Sequence, residues 1–149
     1  MVIEDTAELF IRKPHVVSAE AQINTHKSAI TFDDLLRAAL RHRPDRILIG
    51  EVRGPEARTL VDALNTGHRG MLATIHASSA QGALDRLAHL AMRGSIHQRQ
   101  EEVEDELRAG IDCVVHLTRD GGRRYVQELL DCRCPRQGTQ CEKEIAHRI

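Results

Sequence analysis

The sequence predicts an α/β domain with a mostly parallel sheet and a β-hairpin near its C-terminal end. Three observations carry this reading. Residues 46–52 and 70–76 hold short aliphatic runs between turn signals, as strands of a parallel sheet do. Segments with apolar residues at helical spacing stand between and around those runs, the alternation expected of α/β folds. Asp120-Gly121-Gly122 then separates two β-like stretches, which is a hairpin signal.

The elements follow in chain order. Residues 2–4 are short and apolar and read as a buried strand or a loose terminus. Residues 15–19 (His-Val-Val-Ser-Ala) contain a β-branched pair and read as a short strand. Thr31 opens a helix: its hydroxyl can cap the free backbone N–H groups, and Asp34 stands at the capping-box position. Phe32, Leu35, Leu36, Ala39 and Leu40 form one apolar helical face, and Pro44 ends the helix. Residues 46–52 (Arg-Ile-Leu-Ile-Gly-Glu-Val) predict a strand buried on both faces. Pro55 suits the first turn of a helix carrying Ala57, Leu60, Val61 and Leu64, and Gly67 suits its C-terminal cap. Residues 70–76 (Gly-Met-Leu-Ala-Thr-Ile-His) predict a second buried strand. From Ser79 to about Met92 the pattern is helical, with Ala80, Ala83, Leu84, Leu87 and Ala91 on one side and Gly94 as its stop. Residues 97–109 predict a further helix, whose acids lie mainly ahead of Arg108, as the helix dipole favours. Residues 112–118 and 123–130 form the hairpin. After Leu130 the periodicity stops, and residues 131–149 read as an irregular tail.

Composition narrows the function classes. A chain of 149 residues fits one domain with a sizeable core. Its 21 basic and 22 acidic side chains, with a pI near 6.8, argue against a dedicated nucleic-acid binder. Phe10, Phe32 and Tyr125 are the whole aromatic complement, which disfavours base-stacking platforms. The apolar runs fall far short of a transmembrane segment. The acidic start does not read as a secretory signal, and four cysteines make no dense disulfide framework, so a reduced cytoplasmic setting is expected. Lysine is scarce: Lys13, Lys27 and Lys143 are the three, and none follows a glycine. A G-x-x-x-x-G-K-[ST] phosphate-binding loop is therefore absent from these residues.

Several residues stand where chemistry is done. Glu51 directly follows an aliphatic strand, and ligands of open α/β sheets bind at the carboxyl ends of strands. An acid there serves a magnesium shell or orients water in nucleotide hydrolases, or it is merely a solvated acid paired with Arg53. His76 ends the next strand in the same way and can donate to a phosphoryl oxygen, or simply bond to backbone. Glu4 and Asp5 add a third acidic strand end if residues 2–4 are a strand. Arg41, Arg43, Arg46 and Arg53 surround Glu51 in sequence and are suited to phosphate contact. Cys132, Cys134, Cys141 and His147 number enough for zinc, but C-x-C-x6-C-x5-H departs from the usual ligand spacing.

Taken in order, these segments resemble the type II/type IV secretion ATPases. "IEDTAEL" (residues 3–9) resembles their Asp box, "LRHRPDRILIGEVRGPEA" (40–57) their Walker B segment, and "TGHRGMLATIHASSA" (66–80) their His box. The conjugative-transfer traffic ATPases are the most similar in style, and the likeness spans residues 1–130, with 131–149 as the tail. The resemblance implies a RecA-like P-loop NTPase domain that is incomplete here. It implies Glu51 as the Walker B glutamate acting on magnesium through water, Glu4 as the acid that polarises the hydrolytic water, and His76 as the sensor of the γ-phosphate. Asp5 is a lesser candidate near the metal. Arg41, Arg43 and Arg53 are the arginines expected near the cofactor. His42 stands where the family often has an apolar residue.

The family's cofactors are ATP and magnesium, and its members work as hexamers at the cytoplasmic face of the inner membrane, driving substrate transfer or pilus assembly. Loss of the phosphate-binding loop predicts that ATP does not bind tightly to this chain alone, because Glu4 and Glu51 repel the triphosphate. Two readings follow: part of a traffic ATPase, inactive by itself, or a non-catalytic module that docks on full-length ATPase subunits. In the family's sheet the loop strand lies beyond the His-box strand. That strand is therefore expected to be an exposed edge unless the hairpin covers it, with self-association as the consequence.

Overall fold

The computed structural model describes residues 1–22, 29–93, 98–133 and 142–148, the last of these as backbone. Four three-residue strands make the first sheet: β1 (Val2–Glu4), β2 (Ser18–Glu20), β3 (Ile47–Ile49) and β4 (Met71–Ala73). All pairings are parallel and the order is β2-β1-β3-β4. Parallel strands need crossovers, and α1 (Phe32–Arg41) and α2 (Glu56–Asn65) provide them on the way to β3 and β4. Two further helices follow, α3 (Ala80–Met92) and α4 (Gln100–Gly110).

Each helix has a local cause. Thr31 Oγ1 accepts from Asp34 N at 3.2 Å while Asp34 Oδ2 accepts from Thr31 N at 3.0 Å, the capping box expected of this pair. Phe32, Leu36 and Ala39 are its buried face; Leu35 and Leu40 are partly buried against the core. The chain then turns through Arg43, at φ 48°, ahead of Pro44. Pro55 stands at the N-cap position of α2, and Gly67 adopts φ 89° just beyond its end, where an L side chain is disfavoured. Ser79 Oγ accepts from Gly82 N at 2.9 Å to cap α3. The expected stop at Gly94 lies outside the described residues; the helix expected over 97–109 is α4, which begins only at Gln100 with Arg99 at its N-cap.

Ile3, Ile47 and Ile49 are fully buried with Leu36, Val61, Ala88, Val103 and Leu107, so the sheet's core residues meet all four helices. Burial of each such aliphatic side chain stabilises the fold by about 1.5–3 kcal/mol. Arg58 of α2 reaches Glu106 of α4 at 2.9 Å and ties the two helices together.

The second sheet has the order β5-β6-β7: β5 (Cys113–Asp120), β6 (Arg123–Asp131) and β7 (Glu142–Arg148), all antiparallel. Gly121 and Gly122, at φ 53° and 82°, make the two-residue turn of the expected hairpin. Ala80 and Leu84 of α3 pack on Leu130 and Cys132 at its base.

Four expectations change. The strand expected at 15–19 is β2 at Ser18–Glu20. The strand at 46–52 is buried at Ile47 and Ile49 but only half-buried at Leu48. The strand at 70–76 is shorter and not buried: β4 is an edge with Leu72 57 % exposed, because the hairpin belongs to the other sheet. The segment 131–149, expected to be irregular, contains β7, which pairs with β6. The side chains of Cys134, Cys141 and His147 lie outside the described residues.

Candidate functional site

The parallel register brings three strand ends side by side. β1 ends at Glu4 with Asp5 beyond it, β3 leads through Gly50 to Glu51, and β4 leads through Thr74 to His76. Backbone bonds continue past the strands: Gly50 N donates to Ile3 O at 2.8 Å and Val52 N to Thr74 O at 2.9 Å. The Thr74 hydroxyl donates to Gly50 O. These bonds fix the two loops that carry Glu51 and His76. Gly50 also makes room, since a Cβ there would meet Glu4 Cγ at 3.2 Å.

Glu51 is the hub. Its side chain is 16 % exposed; Arg53 Nη2 donates to its Oε2 at 2.5 Å, and His76 Nε2 stands 3.3 Å from its Oε1. The hydrogen bond from Arg53 holds the Glu51 carboxyl below its ordinary range. Partial burial opposes this, and the charges of His76, Arg53 and Arg86 add to it. Arg53 Nη1 also reaches Asp5 Oδ2 at 3.4 Å, so one guanidinium bridges two acids and its own pKa is raised. His76 is 81 % exposed, free to meet a ligand from solvent.

Glu4 belongs to the same end of the sheet but faces elsewhere. It is buried, and its Oε1 accepts from Glu8 N at 3.1 Å and Leu9 N at 3.0 Å. The structure therefore brings Glu51, His76, Arg53 and Asp5 together, with Glu4 alongside and engaged by backbone. Arg41 and Arg43 are not brought to this cluster. They are exposed at the end of α1 and in the turn ahead of β3, whereas Glu51 follows that strand's opposite end. A strand advances about 3.3 Å per residue, so closeness in sequence becomes distance in space.

Sequence reasoning missed Glu56. It is 6 % exposed, and its Oε1 accepts from Arg53 N at 2.7 Å and Gly54 N at 2.8 Å. This clamp shapes the loop that aims Arg53. An acid in the first turn after Pro55 was the available signal. Arg86, whose charge acts on Glu51 from α3, was also missed.

Two carboxylates, Glu51 and Asp5, converge on the Arg53 guanidinium, and among the described residues no three or more His, Cys, Asp or Glu side chains are grouped to hold a metal ion. Magnesium needs only one or two carboxylates with water and substrate phosphates, so Glu51 and Asp5 are the side chains that could meet it once Arg53 gives way.

The chain matches the family described as "Type II/IV secretion system protein" over residues 1–148. It is 38 % identical over 130 residues to a putative conjugal transfer protein of Mycobacterium tuberculosis, covering 85 % of this chain and 36 % of that protein. It is 37 % identical over 131 residues to the conjugal transfer protein TrbB of Rhizobium radiobacter, covering 87 % of this chain and 38 % of that one. The VirB11 ATPase of the Brucella suis type IV secretion system, solved in complex with sulphate, superposes with a TM-score of 0.74 at 30 % identity, over 87 % of this chain and 40 % of that structure. The chain thus spans well under half the length of these relatives.

Proposed function

The chain belongs to the type II/IV secretion system protein family, and from that premise we propose that its residues carry the hydrolysis side of an ATP site in a secretion or conjugation ATPase. The observation that carries this reading is the meeting of Glu51 and His76, 3.3 Å apart, at the carboxyl ends of adjacent parallel strands. In this reading Glu51 orients water in a magnesium shell and His76 donates to the γ-phosphate. Arg53 neutralises Glu51 and Asp5 until the nucleotide arrives, and Glu4 acts on the attacking water once released from the backbone of Glu8 and Leu9. Magnesium, when bound, neutralises charge developing on the phosphates. Arg41 and Arg43 lie at the other end of β3, away from this cluster.

These 149 residues hold no phosphate-binding loop, so the triphosphate must be gripped by groups outside them. By themselves they bind ATP weakly. The working form is a ring of such subunits, cytoplasmic and peripheral to the inner membrane, coupling hydrolysis to substrate transfer or pilus assembly. No helix among the described residues is long and apolar enough to cross a membrane. A second reading, a non-catalytic module that docks on full-length subunits, is favoured by the edge strand β4 with its exposed Leu72.

Joining this chain to the part of the M. tuberculosis relative that it does not match tests the first reading. Magnesium-dependent ATP hydrolysis is expected, falling by about 10²-fold or more in Glu51→Gln and in His76→Ala. Hydrolysis unaffected by both substitutions would refute the assignment. Adding excess chain to a full-length relative tests the second: an unchanged ATPase rate sinks it.

A further inference from the structure

A second feature adjoins the site. A surface groove of about 530 Å³ runs between Arg53 and α3, with Asp85, Arg86, His89, Leu90 and Arg93 along its other wall. Arg86, His89 and Arg93 are spaced i, i+3 and i+7, so they share one helix face. Among the described residues none of these three side chains has a hydrogen bond or ion pair to the protein. The groove's single acid, Asp85, instead accepts from Gln81 Nε2 at 2.7 Å. Leu90, buried beneath, gives the groove an apolar floor that strengthens the field above it. Arg53 is committed to Glu51 and Asp5, and Arg86 and Arg93 make no direct ion pair among the described residues, so the groove carries more positive than negative groups and suits an anion.

We propose that this groove is a binding site for free inorganic phosphate, held by Arg86 and Arg93 with His89 between them and Arg53 as its opposite wall. Guanidinium forks match the geometry of phosphate oxygens, and several converging arginines favour a compact multivalent anion over chloride. Arg53 is shared: it bonds Glu51 and lines the groove. If the ATPase reading holds, on which this role rests, phosphate freed beside Glu51 and His76 passes along Arg53 into the groove. The groove is then a receiving station for the product.

The test is a titration of the ¹⁵N-labelled 149-residue chain with inorganic phosphate, against sodium chloride at equal ionic strength, followed by amide chemical shifts. Saturable shifts are expected around Arg53, Arg86, His89 and Arg93 with phosphate alone. Affinity should fall at least about tenfold, the loss of one charge-assisted contact, in Arg86→Ala and again in Arg93→Ala. Both side chains are exposed, so the fold should persist; Arg86→Lys, which keeps charge without the fork, should bind with intermediate affinity. Arg124→Ala, on the hairpin and outside both the groove and the Glu51–His76 cluster, should bind phosphate as the parent does. Equal shifts with chloride, shifts centred elsewhere, or full affinity in both alanine variants would overturn the proposal. So would sedimentation with phosphatidylglycerol vesicles in the absence of any saturable response to phosphate, since that marks a lipid headgroup surface. Phosphate binding with no hydrolysis in the joined protein would sink the ATPase reading and leave the site standing; hydrolysis without phosphate binding would do the reverse.

Discussion

Replacing Glu56 with alanine should destabilise the chain although its carboxylate meets only backbone, that of Arg53 and Gly54. Its carboxylate accepts two backbone N–H bonds, from Arg53 at 2.7 Å and Gly54 at 2.8 Å, in a nearly closed position. Hydrogen bonds to a charged group contribute about 1.5–3 kcal/mol each, and part-burial lets water recover some of that, so Glu56→Ala should cost about 3 kcal/mol. At about 2–4 °C per kcal/mol for a chain of this size, the melting temperature should fall by about 6–12 °C. Glu56→Gln keeps an acceptor oxygen and loses only the charge, so its cost should be about 1 kcal/mol. Thermal and urea unfolding followed by circular dichroism would measure both. A Glu56→Ala midpoint within about 2 °C of the parent would refute the clamp, since a change that small is worth less than one ordinary hydrogen bond.

Other expectations follow from the same geometry. Glu51 is held below the ordinary carboxyl value of 4.5, so its contribution to stability is present above about pH 4.5 and lost as pH falls through the lower folded-state value. The stability difference between the parent and Glu51→Gln, from urea titrations, should be flat at neutral pH and shrink under acid; a difference that grows on acidification would contradict the pairing. Gly110→Ala should cost about 1–3 kcal/mol by overpacking, because the new Cβ would lie 2.7 Å from Leu64 Cβ; an unchanged urea midpoint would show that α2 and α4 are not held so close. Leu72→Lys puts a charge on the β4 edge and should reduce self-association on size-exclusion at rising concentration, whereas identical elution profiles would acquit that edge.

Local chemistry was legible in the sequence, and distant partnership was not. The Thr31–Asp34 capping box, the Gly121-Gly122 turn and the apolar faces of α1 and α3 need only neighbours within a few residues. Glu51 and His76 were legible as well, because strand ends in a parallel sheet share one rim whatever the loops do. Residue identities do not show that Glu4 turns its carboxylate to the backbone of Glu8 and Leu9, or that Glu128 caps Ala80 N at 2.6 Å. Those bonds depend on how loops close. Arg41 and Arg43 stand apart from Glu51 for a related reason: proximity along the chain to Glu51 spans the whole of β3. The burial expected for residues 70–76 assumed a neighbour on each side of the strand, and aliphatic content alone cannot count neighbours.

The strand order also fixes a sequence in time. β1 is made before both of its neighbours, yet it lies inside the sheet, with Val2 paired to Ser18 on one side and Leu48 on the other. At a synthesis rate of about 5–20 residues per second, roughly two to ten seconds separate the making of Glu4 from that of Ile49. During that interval the apolar stretch has half its ladder open, and α1, with its own cap, is the element able to form without waiting. Completion of β3 therefore pairs the open side of β1 and aligns Glu51 beside it in one step, before α2, α3 and α4 add the rest of the core. Assembly of the acidic rim is in this sense a folding milestone, reached only when the sheet is.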